Sequence, residues 1–229
     1  MASESKSFVQ PTIPSSSPEV TTTGRRSDLL SLVEIGLVFG LILVAVWTPT
    51  GRINSAVSLA SAGLTVVLGF REHSLEELGL SRPFSGALVI FAAGALLVFV
   101  VAAAGSLTRP LGPPQPLPWL RAWQYAIWAL LQQFILQSFM YLRLESVLGS
   151  RRAVLGSALL FSAAHIPNPW LVALSLIGAL FFCEMFRRYR NILPLGLVHA
   201  ALGLTIAASL PDHWLHHMRV GIGYLRYPA

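Results

Sequence analysis

The sequence has little charge and almost no cysteine. Asp, Glu, Lys and Arg make up only 11% of its 229 residues, against about a quarter in ordinary soluble domains. That shortage argues against a water-facing globular surface. The single cysteine, Cys183, excludes an intramolecular disulfide. Without a CxxC pair or Cys/His finger spacing there is no zinc-finger module. Glycine-rich phosphate loops, dinucleotide fingerprints and internal repeats are absent as well. The net charge of +6 comes from residues scattered between apolar runs, not from a basic stripe, so no nucleic acid partner is indicated.

Hydrophobic residues are abundant: they make up 54% of the chain, and the mean hydropathy is +0.65. A membrane-crossing helix needs about 20 apolar residues. Seven runs approach that length: Leu29–Trp47, Ile53–Phe70, Phe84–Ala104, Leu120–Leu144, Ala153–His165, Trp170–Phe186 and Ile192–Leu210. Ser27 or Asp28 is positioned to cap the first. Pro110, Pro113, Pro114, Pro116 and Pro118 break the chain before the fourth. The expected fold is an all-α, multi-pass transmembrane helical bundle of about seven spans. An eighth, re-entrant or interfacial helix would have room in the proline-rich loop or the C-terminal tail.

Three regions follow. Residues 1–26 form a disordered N-terminal tail, whose Ser, Thr and Pro content lacks a core and whose start lacks the apolar stretch of a signal peptide. Residues 27–210 form the transmembrane domain. Residues 211–229 form an aromatic, interfacial tail, where His213, His216 and His217 beside Trp214 suit a membrane boundary better than a metal site. With the N-terminus in the cytoplasm, eleven basic residues fall on the cytoplasmic side: Lys6, Arg25, Arg26, Arg71, Arg82, Arg143, Arg151, Arg152, Arg187, Arg188 and Arg190. Five fall opposite: Arg52, Arg109, Arg121, Arg219 and Arg226. This bias places the protein in a cell inner membrane with its N-terminus inside.

Polar side chains inside such runs are costly and tend to face a bundle interior. His165 and His199 lie in two of the runs, and Gln132, Gln133 and Gln137 lie in a third. Their depths, at about 1.5 Å per residue, all fall within the membrane core. Gln133, Gln137, Tyr141 and Glu145 recur every fourth residue and line one row of a helix. Each amide taken alone reads as glue between helices. Three polar clusters on three helices point to one buried site.

The stretches LLQQFILQSFMYLRLE, FSAAH and RRYRNILPLGLVHAALG, in that order, resemble the CPBP family of intramembrane proteases, which includes the type II CAAX prenyl endopeptidases. The similarity covers roughly Leu120–Leu210, and Glu76–Pro83 (EELGLSRP) resembles a loop that often precedes the family core. The family pattern is EExxxR, FxxxH and HxxxN. Carried over, the resemblance puts Gln132 at the catalytic glutamate, Gln133 at the second glutamate and Gln137 at the arginine. Phe161 and His165 match FxxxH, His199 matches the last histidine, and Gly203 stands where the family prefers Asn. It implies hydrolysis of a peptide bond in a lipidated or membrane-tethered substrate, with the lipid bilayer and such a peptide or protein as partners.

The amides change that expectation. A carboxylate takes a proton from water; a neutral amide does not. Glutamate-based proteolysis is therefore not expected, and Gly203 also lacks an oxyanion donor. If the protein cuts, Gln132 and Gln133 would hold the water, and His165 or His199 would activate it. The alternative is a non-catalytic pseudoprotease that binds or scaffolds a membrane peptide, lipid or partner protein. Glu145 lies too far along its helix to replace the acid, and Glu184 is placed to pair with Arg187 and Arg188. Zinc on His165 and His199 lacks a third good ligand, so no cofactor is expected. A small transporter would need broken helices or an inverted repeat, and neither is visible.

Overall fold

The computed structural model describes residues 22–108 and 119–226. The expected disordered leader, up to residue 21, and Pro110–Pro118 lie outside the described residues. Every described element is helical: α1 (Thr22–Trp47), α2 (Arg52–Glu72), α3 (Ala87–Thr108), α4 (Trp119–Gln133), a π-helical segment (Phe134–Tyr141), α5 (Leu142–Leu148), α6 (Ser150–Ala163), α7 (Pro169–Tyr189), α8 (Ile192–Ser209), α9 (Asp212–Leu215), a 3₁₀ turn (His216–Met218) and α10 (Gly221–Arg226). Five of them, α1, α2, α3, α7 and α8, are long and apolar enough to cross a membrane.

Their outer surfaces suit hydrocarbon. Leu88 and Phe99 of α3 are 83% and 68% exposed, and α3 is apolar all round, as expected of a helix whose surroundings are lipid. The protein is a membrane protein. Where helices meet, small residues bring backbones together, as is usual in membranes. A methyl on Gly94 of α3 would stand 2.6 Å from a methyl of Val198 on α8, and one on Gly196 of α8 would stand 2.7 Å from Leu130 Cγ on α4. Glycine at these positions lets α8 lie close to both α3 and α4.

Two expectations are corrected. Helix α1 starts at Thr22, so Ser27 and Asp28 lie within it and cap nothing. The expected span Ala153–His165 forms a helix of 14 residues, Ser150–Ala163. At about 1.5 Å per residue it is some 21 Å long, short of a core about 30 Å thick. Pro167 and Pro169 explain the early stop. Asn168 between them caps α7, its side-chain oxygen accepting the Leu171 N–H at 3.1 Å. His165 consequently lies past the end of α6.

The fourth run behaves differently again. From Trp119 to Leu148 the chain is helical without a break, but Phe134–Tyr141 adopts the wider π winding. Such segments concentrate at functional sites, and this one begins directly after Gln133. Gly149, at φ 78°, then ends the rod.

The loop Glu76–Pro83 is built into the core. Leu78 is fully buried. Its carbonyl accepts the Ser138 hydroxyl at 2.8 Å, and the Gly79 carbonyl accepts the Ile192 N–H at 3.1 Å. Asn191, also buried, donates to the carbonyls of Pro83 and Ser85 at 2.8 and 3.0 Å. These bonds satisfy loop backbone that would otherwise be unpaired in the interior. The tail after α8 folds back on the bundle: Asn168 donates to the carbonyls of Leu215 and Arg219, the Gly221 N–H reaches the Ile166 carbonyl, and Trp214 stacks on Trp170.

Candidate functional site

The π segment and α8 bring the polar residues together. Gln133 is fully buried, with its Nε2 3.1 Å from Nδ1 of His199. Gln137, equally buried, donates from Nε2 to Gln133 Oε1 at 3.2 Å. With the amides in this orientation, Gln133 donates and His199 Nδ1 accepts. Neutral His199 then carries its proton on Nε2. His165 is anchored in the opposite sense. Its Nδ1 lies 2.8 Å from the Phe161 carbonyl. A carbonyl only accepts, so Nδ1 holds the proton and Nε2 keeps a free lone pair. Phe161 also packs its ring near both imidazoles, with centroids 5.0 Å from His165 and 6.2 Å from His199.

His165, His199, Gln132 and Gly203 line a cavity of about 630 Å³ between the helices. Gln133 and Gln137 do not line it; they stand behind His199. The pair of amides expected to hold one water is therefore divided. Gln132 faces the cavity and makes no hydrogen bond among the described residues, while both functional ends of Gln133 are engaged. The rest of the wall is overwhelmingly apolar, including Phe39, Trp128 and Ile135. Met218 and Val220 of the tail also line it. No Asp, Glu, Lys or Arg lines the cavity among the described residues.

The charges have gathered elsewhere. Arg143 is 1% exposed. Its Nε donates to Glu34 Oε2 at 2.8 Å, and its Nη2 to the Leu68 carbonyl at 3.0 Å and Glu72 Oε2 at 3.3 Å. Arg71 reaches the other Glu34 oxygen at 2.5 Å and also bonds Glu72. This ion cluster ties α1, α2 and α5 together beside the site. Glu34 stands out in the sequence as a lone acid within an apolar run. Arg143 counts as a cytoplasmic charge in the loop tally, yet it is buried. Glu184 pairs with Arg187 and Arg188 at 2.8 and 2.5 Å, as expected; Glu145 is held by Arg190 at 2.5 Å and by the Tyr141 hydroxyl at 2.9 Å.

Cys183 is buried in the hydrophobic core. Ser157 is fully buried and does not line the cavity. Among the described residues no group of three His, Cys, Asp or Glu side chains could hold a metal ion. In the tail, His217 pairs with Asp212 at 2.7 Å.

A further residue enters the site from α4. Tyr125 lines the same cavity, and its phenol fills the space that a side chain at position 203 would need. A methyl on Gly203 would stand 2.7 Å from Tyr125 Cζ and closer still to its hydroxyl oxygen. Sequence spacing alone could have placed Tyr125 on this wall, since it lies seven residues, two turns, before Gln132.

Fold and site together define a helical membrane protein with an uncharged polar centre opening into an apolar cavity. Residues 114–205 match the family model for Type II CAAX prenyl endopeptidase Rce1-like. That segment, about two-fifths of the chain, contains all of the QQxxxQ, FxxxH and HxxxG positions that carry the resemblance. No curated protein and no solved structure matches the chain.

Proposed function

We propose that this protein is a non-hydrolytic member of the CAAX-protease type, a pseudoprotease that holds a membrane-tethered peptide or a lipid chain without cutting it. The bond from Gln133 to His199 carries the reading. Where the family has a charged acid pair and an arginine, this chain has neutral amides, two of which are spent on orienting an imidazole. Neither amide accepts a proton from water. The swap spares the protein the burial of charges at this point and keeps a continuous hydrogen-bond chain. An apolar cavity of this size suits a hydrocarbon-bearing ligand.

In this reading the uninterrupted rod Trp119–Leu148 also crosses the bilayer, α6 enters it part-way from the cytoplasmic side, and the N-terminus is cytoplasmic in an inner membrane. The test uses the full chain in proteoliposomes with a lipid-anchored peptide labelled on both sides of its anchor. Intact peptide retained on the protein supports the reading. Steady release of one labelled fragment refutes it.

One observation favours a second reading, hydrolysis without a carboxylate. The Phe161 carbonyl fixes His165 with Nε2 unprotonated, the form a general base needs. His165 would then activate a water held by Gln132, and His199 would be the donor to the developing oxyanion. Cleavage abolished by His165→Ala would select this reading.

A further inference from the structure

The cavity's hydrogen-bonding side chains among the described residues are all neutral: Tyr125, Gln132, His165, His199 and the serines Ser58, Ser61 and Ser175. On the α4–α8 wall Tyr125 and Gln132 can donate, and so can Nε2 of His199. Tyr125 and Gln132 stand two turns apart on α4. His199 and Gly203 stand one turn apart on α8, so the phenol seated against Gly203 lies within about 5–6 Å, one helical step, of the His199 position. Among the described residues, neither the Tyr125 hydroxyl nor the Gln132 amide has a hydrogen-bond partner, and no carboxylate, ammonium or guanidinium lines this space. A charged ligand group brought into it would lose its hydration and find no counter-charge. A carbonyl oxygen would meet donors from Tyr125 and from Nε2 of His199.

We propose that Tyr125 is a ligand-contacting residue, and that the site takes an uncharged amphiphile whose ester or amide carbonyl accepts the Tyr125 hydroxyl while its hydrocarbon chain fills the cavity. Gly203 is the partner that makes this possible: any side chain there displaces the phenol. The proposal rests on the binding reading above and names the ligand chemistry of that same site. Acids of equal chain length are rejected, because their carboxylate would be buried without a partner.

The full chain in nanodiscs is photolabelled with an oleamide carrying a diazirine in its hydrocarbon chain, and the labelled residues are mapped by mass spectrometry. Labelling is expected on the cavity wall, at Trp128 or Ile135, and is competed by methyl oleate but not by ionised oleate. Tyr125→Phe, which removes one oxygen, is expected to weaken labelling about five-fold, the loss of one ordinary hydrogen bond. Gly203→Ala is expected to do the same by moving the phenol. Thermal unfolding of each variant verifies that the fold is retained. Cavity labelling unchanged by Tyr125→Phe overturns the role of Tyr125 and leaves the binding reading standing. Oleate competing as well as its methyl ester overturns the neutral-ligand class. No cavity labelling at all overturns the inference, while retention of the intact lipid-anchored peptide separately decides the binding reading beneath it.

Discussion

Gln133 places its amide nitrogen 3.1 Å from Nδ1 of His199. The bond joins the last residue of α4 to α8, and Gln137 supports it from the π segment. Replacing Gln133 by Leu leaves His199 Nδ1 and the Gln137 amide without partners in the interior. Each unsatisfied group costs about 1–3 kcal/mol, so Gln133→Leu is expected to lower the unfolding midpoint in detergent by several degrees. Gln132→Leu removes no protein bond and is expected to change the midpoint little. Parallel thermal melts of the two variants provide the comparison; equal losses would show that the chain to His199 carries no stability.

The cluster around Arg143 makes a different prediction. Glu34 and Arg143 are both nearly fully buried and 2.8 Å apart. Removing one member of a buried pair costs up to about 3–5 kcal/mol, less where a further partner remains, as Arg71 does for Glu34 and Glu72 for Arg143. Glu34→Gln and Arg143→Met are each expected to be destabilising, and the double variant less so than their sum. A double-mutant cycle by thermal unfolding checks the coupling. Strict additivity would mean that the two residues do not depend on each other.

His73 lies in the loop after α2, with Nε2 buried and unpartnered. Burial, and then the positive charge of Arg143, push its pKa below the ordinary histidine value. The folded state therefore prefers the neutral ring, while the unfolded chain takes up a proton near pH 6.5. Stability is expected to be full above that value and to fall as pH drops from about 6.5 toward the lowered pKa of the folded state, becoming level below it. His73→Asn is expected to flatten this part of the profile in melts between pH 5 and 8. An unchanged slope would remove His73 as its source.

Much of this was legible in the sequence, for physical reasons. Long apolar runs gave the helices, because length and hydropathy alone decide whether a segment suits a bilayer. The motif residues were legible because polar groups inside apolar helices stand out. The shortness of α6 and its end before Pro167 and Pro169 were legible too; that the helix stops at Ala163, leaving His165 beyond its end, was not. Gln132 and Gln133 are neighbours at the end of α4, about 100° apart around its axis; which of them faces the cavity and which meets His199 depends on how α4 packs against α8, and that needed the fold. Glu34, Arg143 and Tyr125 were visible as letters, but their partners lie far away in the chain, at Arg71, Glu72 and Gly203. The tail was read as interfacial from its aromatics; its attachment through Asn168 needed the fold.

The most direct measurement of whether this site has exchanged hydrolysis for binding is the cleavage rate of a lipid-anchored peptide by the purified native chain, beside Gln132→Glu/Gln137→Arg and His165→Ala. The native chain is expected to show no turnover above the enzyme-free background, and the double variant, which restores an acid and a cation, to gain it. Multiple turnovers by the native chain that disappear in His165→Ala would contradict the non-hydrolytic reading.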